Sequence, residues 1–309
     1  MKSSIPKIDY EIISNQENIS FNDELKKFKY AISHYGFLLL KNTPIDKKIK
    51  KNILKTYKAF FDLSFEKKNK VNMALTSSNR GWGAPHGEQV NPEYNPDYKE
   101  IFDSGPHQEV KQEFRDLRYY SKNLWPDQLP FFEENINNYY DLCTDIGMNV
   151  LSFIEHSLNF SKNFFRDKFE NQMSLLRCNY YPPRKSTLSN KNYGIAPHTD
   201  YGCLTILITD NNPGLEIKNP SNDWELVLPE EGEVVVNFGD MLELWSNKKI
   251  KATSHRVYGN NNKRFSIPFF FNPQYDTIIS KKNNIVAGEY LSKKYDSTYA
   301  HKKNKLSLI

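Results

Sequence analysis

The stretch APHTDYGCLTIL, residues 196–207, places a histidine and an aspartate two residues apart, just before an apolar run. Residues i and i+2 of a β-strand point to the same face, so we expect His198 and Asp200 to face inwards together while Thr199 points away. His86 and His107 also precede an acid by two residues, but they lie in polar, turn-rich sequence. We expect those two to be polar loop residues or substrate contacts, and His198 with Asp200 to be metal ligands.

Short β-rich runs follow one another from residue 174 onwards, separated by turn clusters such as DNNPG, PEEG and GNNNK. The runs are SLLRCNYY, CLTILI, LEI, WELVL, VVVNF, HRVY and RFSIPFFF. Regularly spaced short strands of this kind indicate a jelly-roll or barrel. The sequence therefore predicts a mainly β fold with flanking helices.

Helical periodicity precedes and follows this β-rich part. Apolar residues recur every three or four positions over 25–35, 45–60 and 139–154, and residues 37–40 form an apolar run entered through Gly36. We predict two helices flanking a strand, a further helix before the β core, and one at the C-terminus. The expected division of this single domain, 1–309, is a helical or mixed part over 1–173, a core over 174–280 and a C-terminal helix over 281–309.

Residues 77–107 are dense in Gly, Pro and Asn and show no sustained period. Irregular segments of this length are usually functional or mobile. We expect residues 77–107 to be a substrate loop. Together with the C-terminal helix from about Gly288, this loop is our candidate for a lid over the site.

Overall composition excludes several classes of protein. The net charge is +5, but the lysines are interspersed with acids, so we expect no nucleic-acid partner. No segment approaches the roughly 18 unbroken apolar residues of a membrane span, and the N-terminus lacks an apolar export region. Three scattered cysteines without a CxxC indicate a reduced, cytoplasmic setting. We expect a monomer that acts on a small molecule.

A third metal ligand is expected at His255, in the later strand run SHRVY. Most single strand histidines are hydrogen-bonded core residues, but two histidines and one carboxylate form the facial triad of non-haem iron(II) oxygenases. Zinc hydrolysis is the rival chemistry, and it normally requires a nearby carboxylate base that this motif lacks.

Arg264 and Ser266 share one strand face with Phe270, nine to fifteen residues after His255. A planar guanidinium beside a hydroxyl is suited to binding a carboxylate through two hydrogen bonds. We expect this pair to hold an acidic small molecule, and the alternative is that Arg264 pairs with a protein carboxylate.

Arg177, Asn179 and Tyr181 share a face of an earlier strand. A buried arginine without an anion is costly, so Arg177 indicates an acidic ligand or, equally, a protein carboxylate. Arg80 and Trp82, in NRGWGAP, are our candidates for a further positive charge and an apolar wall of the substrate site. The alternative for Arg80 is a solvated loop arginine.

In combination, these segments resemble the isopenicillin N synthase-like branch of the iron(II)/2-oxoglutarate dioxygenases over nearly the whole chain. The matching segments are IPKIDY, HYGFLLLKN, NYYPP, APHTDYGCLTIL, NFGDMLELWSN, ATSHRVY, KRFSIPFFF and GEYLSKKYDSTY. The resemblance implies a distorted double-stranded β-helix, with iron(II) bound by His198, Asp200 and His255. It also implies that Arg264 and Ser266 hold the distal carboxylate of 2-oxoglutarate.

The same resemblance places Asn179 and Tyr181 in the cosubstrate pocket and Phe270 against the substrate. It implies an enzyme that uses O2 and 2-oxoglutarate to oxidise a C–H bond, releasing succinate and CO2. We expect the substrate to be a small, carboxylated, amino-acid-like metabolite that undergoes hydroxylation, desaturation or ring closure.

Two alternatives accompany this interpretation. Isopenicillin N synthase itself shares the triad and the Arg-x-Ser pair but uses no 2-oxoglutarate, whereas the NYYPP segment favours the 2-oxoglutarate users. A non-catalytic protein that keeps the barrel as a 2-oxoglutarate sensor is the second alternative.

Overall fold

The computed structural model describes residues 4–75, 79–183, 193–258 and 262–298. Its strands are β1 (Lys7–Asp9), β2 (Phe37–Lys41), β3 (Gly81–Gly83), β4 (Glu100–Ser104), β5 (Leu175–Tyr181), β6 (Tyr193–His198), β7 (Leu204–Thr209), β8 (Leu215–Lys218), β9 (Trp224–Leu226), β10 (Val234–Phe238), β11 (His255–Tyr258), β12 (Arg264–Phe271), β13 (Ile278–Ser280) and β14 (Ile285–Val286). Its α-helices are α1 (Tyr10–Ser14), α2 (Phe21–Tyr30), α3 (Lys47–Phe61), α4 (Phe65–Asn69), α5 (Phe132–Leu158), α6 (Asp240–Trp245) and α7 (Ala287–Thr298). In this part of the chain no helix has the length and apolar character needed to cross a membrane.

Two sheets carry the site. The large sheet has the strand order β1-β2-β10-β7-β12-β5-β4-β3, and the small sheet has the order β6-β11-β8-β9. Apart from the parallel β1–β2 pair, neighbouring strands in both sheets are antiparallel. Strands β13 and β14 form a separate pair before α7.

Alternating side chains divide each strand of the large sheet between two cores. In β2, Phe37 and Leu39 point into the space between the sheets, whereas Leu38 and Leu40 join the core beneath the helices. In β12 the odd-numbered aromatic and aliphatic residues from 265 to 271 face the helices. The polar residues of β12 therefore point between the two sheets, where the site lies.

Helix α5 covers the outer face of the large sheet. The ring of Tyr140 meets Phe269 edge-on at a centroid distance of 4.9 Å. A Cβ on Gly147 would lie 2.7 Å from the Phe271 ring, so only glycine allows the helix to approach this closely. This packing fixes β12, and with it the inward-facing side chains of that strand.

The predicted mainly β fold with a jelly-roll core and flanking helices is confirmed, with differences in detail. Helix α2 continues as a π-helical turn, Ala31–Tyr35, and Gly36 at φ 64° ends it and leads into β2. The segment 77–107 is not wholly irregular, since β3 and β4 within it extend the edge of the large sheet; residues 77 and 78 lie outside the described residues.

The division of the chain at 173/174 and 280/281 stays a prediction. Strands β1 to β4, from the N-terminal part, belong to the same sheet as the core strands. Helix α7 matches the helix predicted from about Gly288, and the last eleven positions of the predicted C-terminal helix, 299–309, lie outside the described residues.

Candidate metal centre and cosubstrate pocket

Two neighbouring strands of the small sheet bring the two histidines together. His198 is the last residue of β6 and His255 is the first residue of β11, and the two are direct partners across the antiparallel pair. Their ring centroids are 4.3 Å apart. Side chains at directly opposed positions of one sheet face are neighbours, so the strand pairing itself creates the two-histidine half of the site.

Both imidazoles present the same nitrogen to the cavity. Nδ1 of His198 lies 2.7 Å from the carbonyl oxygen of Ala196, and Nδ1 of His255 lies 3.1 Å from the carbonyl oxygen of Thr253. A carbonyl only accepts, so Nδ1 carries the proton in each ring and the Nε2 lone pair is left to bind a metal.

Asp200 completes the group from the connection between β6 and β7. Its Oδ1 lies 3.6 Å from Nε2 of His255 and 4.0 Å from Nε2 of His198. The three ligand atoms lie within 4.8 Å of one another. Ligands that bind one ion at about 2.0–2.2 Å are separated by about 3–4 Å, so the distances from Asp200 Oδ1 to the two histidine nitrogens allow a shared metal.

His198 and Asp200 both line the cavity, as predicted, but the prediction that they lie on one strand is wrong. Strand β6 ends at His198, and Asp200 lies in the bend before β7. Thr199, which was expected to point away, lines the same cavity as its two neighbours. The bend, rather than strand alternation, directs the carboxylate towards the imidazoles.

The second oxygen of Asp200 is held by two hydrogen-bond donors from the large sheet. Thr205 Oγ1 donates to Oδ2 over 2.5 Å and Asn237 Nδ2 donates to Oδ2 over 2.7 Å. Thr205 and Asn237 are direct partners on β7 and β10. These bonds fix the carboxylate so that Oδ1 is the oxygen offered to a metal.

We expect Asn237→Ala to weaken Fe(II) binding about 10- to 100-fold, because outer partners of ligating carboxylates contribute on this scale. Anaerobic Fe(II) titration checks this expectation. The matched control is Asn171→Ala, which removes a buried asparagine whose side chain accepts from the Lys111 amide. Equal Fe(II) affinities for the two variants would contradict the assigned role of Asn237.

Protonation states also suit metal binding. Burial and the positive charge that the His255 ring can carry lower the pKa of His198 to about 3, against the opposing effect of Asp200. Burial alone would raise the pKa of Asp200, but the two histidines and the donors Thr205 and Asn237 lower it overall. A neutral imidazole and an ionised carboxylate at neutral pH are the forms that bind a metal.

The backbone of the metal loop is braced by the segment that begins α6. The amide of Asp240 donates to the carbonyl of Asp200 over 2.8 Å, and the amide of Gly239 donates to the carbonyl of Cys203 over 2.8 Å. A Cβ on Gly239 would lie 2.4 Å from the carbonyl oxygen of Gly202, so this close approach requires glycine.

The donor set fits iron(II). Two imidazole nitrogens and one carboxylate oxygen on one side of an ion leave further coordination positions open, which is the arrangement of non-haem iron(II) oxygenases. His86 and His107 do not belong to this group: His86 lies at φ 64° beside Tyr98, and His107 Nε2 lies 2.8 Å from Asp141 Oδ1. Neither of these two histidines lines the cavity at the triad.

A second polar group lies between the sheets on β5 and β12. Arg264 is a direct partner of Tyr181, and Ser266 is a direct partner of Asn179. Arg264 is only 2% exposed; its Nε donates to the carbonyl of Asn212 over 3.2 Å and its guanidinium carbon lies 5.2 Å from the centre of the Tyr181 ring.

This pocket contains buried polar atoms without hydrogen-bond partners among the described residues. They are Nη1 of Arg264, the hydroxyl of Tyr181 and Oδ1 of Asn179. An unsatisfied buried donor or acceptor costs about 1–3 kcal/mol, and more for a charged group. Two donors, one of them cationic, fit a carboxylate, as expected for the distal end of 2-oxoglutarate.

A cavity opens beside the triad and contains several of the predicted site residues. Arg177, Asn179 and Phe270 line it together with the metal ligands, as the strand parity of β5 and β12 predicts. Sequence reasoning did not name several other lining residues, which are Tyr201 beside Asp200, Asn272 after β12, and Glu88, Lys99 and Tyr295 from more distant segments.

Arg177 is paired with protein carboxylates, which is one of the two alternatives that the sequence allowed. Its Nε and Nη2 donate to Asp103 over 2.7 and 2.6 Å, and its Nη1 and Nη2 donate to Glu88 over 2.9 and 2.8 Å. Lys99 extends the chain of charges by contacting Glu88 at 3.0 Å and Asp97 at 3.1 Å. All five side chains are almost fully buried, so the cavity wall is a network of paired charges.

The other two predicted substrate residues lie elsewhere. The Trp82 ring is buried in the helix-side core, where its Nε1 donates to Glu100 over 2.7 Å. Arg80 is buried and its Nη2 donates to the carbonyl of Tyr119 over 2.6 Å. Neither residue lines the cavity at the triad, because β3 lies at the far edge of the large sheet, so we do not retain them as substrate contacts.

Comparisons with known proteins agree with this geometry. Residues 172–273 match the model of the 2OG-Fe(II) oxygenase superfamily, and residues 5–128 match the N-terminal model of non-haem dioxygenases in morphine synthesis. A homoarginine-6-hydroxylase from Glycine max is 31% identical over 90% of this chain and 88% of its own length. The chain belongs to the iron(II)/2-oxoglutarate-dependent oxygenases.

Two further proteins support the assignment of this chain to the iron(II)/2-oxoglutarate-dependent oxygenases. The proline hydroxylase buaE from Petromyces alliaceus is 27% identical, with 89% of each chain covered. The crystal structure of a full-length Neurospora crassa protein in complex with alpha-KG has a TM-score of 0.84 and 29% identity, covering 95% of this chain and 96% of that one.

The activity follows from the family and the site. When iron(II) and 2-oxoglutarate are bound, they supply the chemistry that couples O2 and decarboxylation of 2-oxoglutarate to oxidation of a substrate, with succinate and CO2 as products. The protein contributes the triad, donors that orient the Asp200 carboxylate, a buried cation at Arg264, and the cavity beside the triad. The iron(II)/2-oxoglutarate-dependent dioxygenase is therefore an oxidoreductase.

Proposed function

We propose that this oxygenase oxidises a C–H bond of a small, carboxylated, amino-acid-like metabolite by hydroxylation, desaturation or ring closure. His198, Asp200 and His255 hold iron(II) in this proposal. Arg264 with Ser266, beside Asn179 and Tyr181, binds 2-oxoglutarate, while Arg177 and Phe270 contact the substrate.

The observation that carries the substrate class is the polar, charged side of the cavity wall. Arg177 and Lys99 are the two cations that line the cavity at the triad in the described part of the chain. Both cations are paired with buried acids, Arg177 with Glu88 and Asp103 and Lys99 with Glu88 and Asp97. A wall of paired charges suits a polar group of the substrate better than an apolar group of the same shape.

Two of the relatives support the same class. Their names refer to homoarginine and proline, which are both small amino acids with a carboxylate. Phe270, Val90 and Ile195 supply apolar surface in the same cavity, which suits the hydrocarbon part of such a molecule.

The test is a screen of carboxylated metabolites for stimulation of succinate formation. Under anaerobic conditions, Fe(II) plus 2-oxoglutarate should give a weak visible charge-transfer band, and admission of air with the correct substrate should release succinate. The product mass should show the gain of one oxygen or the loss of two hydrogens.

The controls separate this proposal from its rivals. Asp200→Ala should give neither the band nor stimulated succinate. A protein that forms the band but releases no succinate with any compound would be the binding protein considered above. Oxidation of a substrate in the absence of 2-oxoglutarate would indicate a cyclase of the isopenicillin N synthase type, and stimulation only by uncharged compounds would contradict the substrate class.

A further inference from the structure

Strand β6, which carries His198, lies at the edge of the small sheet and has β11 as its strand partner among the described residues. The pairing of these two strands is irregular. His255 is opposite His198, but the register shifts between His255 and Val257 and again between Val257 and Tyr258. An irregular ladder at an edge strand fixes strand position less firmly than a regular one. The position of His198 therefore depends on side-chain contacts in addition to the ladder.

The outer face of the same sheet carries a network centred on Arg256. Its Nε donates to Glu216 Oε2 over 2.7 Å, and its guanidinium carbon lies 3.9 Å from the centre of the Trp224 ring. The same carbon lies 4.6 Å from the Tyr258 ring and 5.6 Å from the Tyr193 ring. Nη1 also donates to the Tyr193 hydroxyl over 3.4 Å.

These five side chains come from all four strands. Glu216 belongs to β8, Trp224 to β9, Arg256 and Tyr258 to β11, and Tyr193 to β6. The rings of Tyr193 and Tyr258 lie 5.5 Å apart, so the edge strand is joined to β11 by side chains where the backbone register shifts. We call this set the outer clamp.

We propose that Arg256 is a positioning residue for the metal centre, which acts by holding β6 and β11 in the register that brings His198 and His255 together. Arg256 follows His255 directly in β11, so its side chain points outwards while the imidazole points to the cavity. Its hydrogen bonds and ring contacts among the described residues do not include His198 or Asp200. Its effect passes through Tyr193, five residues before His198 on the same strand.

The geometry of a metal site makes this coupling effective. A metal–nitrogen bond of about 2.0–2.1 Å tolerates little displacement, so a small shift of one strand along the other separates the imidazoles. Two further contacts hold β6 from the loop side: Asn91 Nδ2 donates to the Pro197 carbonyl over 3.3 Å, and the Tyr94 ring meets Tyr193 edge-on at 5.5 Å. Loss of Arg256 should therefore loosen the site without abolishing it.

The proposal rests on the metal centre and not on the substrate class, so metal binding alone tests it. Arg256→Met keeps a long apolar side chain over Trp224 but removes the charge. We expect Co(II), used as a spectroscopic probe under anaerobic conditions, to bind this variant about tenfold more weakly, the lower end of the range for outer partners. The visible Co(II) spectrum should also change, because the angle between the two imidazoles is less well defined.

The matched control is Arg118→Met. Arg118 also combines one ion pair, with Asp296 at 2.7 Å, and one aromatic contact, with Tyr119 at 5.3 Å, but it lies away from the small sheet. This control should leave the Co(II) affinity and spectrum unchanged, even if its thermal midpoint falls by as much as that of Arg256→Met. Arg256→Lys should restore part of the affinity, since it keeps the charge next to Glu216 but loses the planar stacking.

Three outcomes would overturn the proposal. They are an Arg256→Met protein that binds Co(II) as the wild type does, an Arg118→Met protein that loses affinity equally, and a Tyr193→Leu protein with unchanged affinity. If Arg256→Met fails to fold, Tyr193→Leu tests the proposal instead, because this substitution removes only the β6 member of the outer clamp. Failure of the wild-type protein to bind Co(II) would instead count against the metal centre itself.

Discussion

Replacing Asp200 with alanine is expected to abolish 2-oxoglutarate turnover and to weaken Fe(II) binding by more than about 100-fold. Loss of an outer partner of a metal ligand already costs about 10- to 100-fold, and this change removes a ligand itself. It also removes the only anionic ligand of the triad and leaves the donors Thr205 and Asn237 without their shared acceptor. Anaerobic Fe(II) titration measures the Fe(II) affinity, and succinate formation in air measures the turnover.

Metal-dependent stabilisation supplies an independent readout. A ligand that binds only the folded protein stabilises it in proportion to the logarithm of its concentration over its dissociation constant. Wild-type protein should therefore gain thermal stability on addition of Fe(II), and Asp200→Ala should not. His107→Ala, which removes a histidine paired with Asp141, should behave as the wild type does. Retention of Fe(II) by Asp200→Ala would remove that residue from the site.

Strand parity allowed much of the cavity to be predicted from the sequence. Period-two alternation holds along β5 and β12 because apolar residues on one face of each strand must meet the helices. The polar residues between them are thereby forced inwards, which correctly grouped Arg177 with Asn179 and Arg264 with Ser266. The same argument indicates Thr205 and Asn237, which are polar residues flanked by apolar residues in β7 and β10.

Partners from distant segments could not be predicted in this way. Arg177 is paired with Glu88, which is 89 positions away in the chain, and with Asp103, which is 74 positions away. No local pattern specifies which acid a buried arginine meets, because that depends on how a loop returns to the sheet. For the same reason Trp82 was assigned to the substrate site, although an aromatic residue in an edge strand can equally face the helix-side core.

Replacing Arg264 with alanine is expected to weaken 2-oxoglutarate binding about ten- to a hundredfold or more. A hydrogen bond to a charged group contributes about 1.5–3 kcal/mol, and each 1.4 kcal/mol is a factor of ten in affinity. The measurement is titration of the charge-transfer band with 2-oxoglutarate in Fe(II)-loaded protein. Fe(II) affinity in the absence of 2-oxoglutarate should not change, because no hydrogen bond or ion pair among the described residues joins Arg264 to the triad.

The stability of the ligand-free protein distinguishes a binding residue from a structural one. Arg264 is buried with Nη1 unpartnered among the described residues, and such a charge costs stability unless a ligand neutralises it. Arg264→Ala should therefore melt no lower than the wild type without 2-oxoglutarate, yet gain less stability when 2-oxoglutarate is added. Arg264→Lys should recover only part of the affinity, since an ammonium lacks the planar fork that binds both carboxylate oxygens. Unaltered binding in Arg264→Ala, or a large loss of stability without ligand, would show that Arg264 serves the fold rather than the cosubstrate.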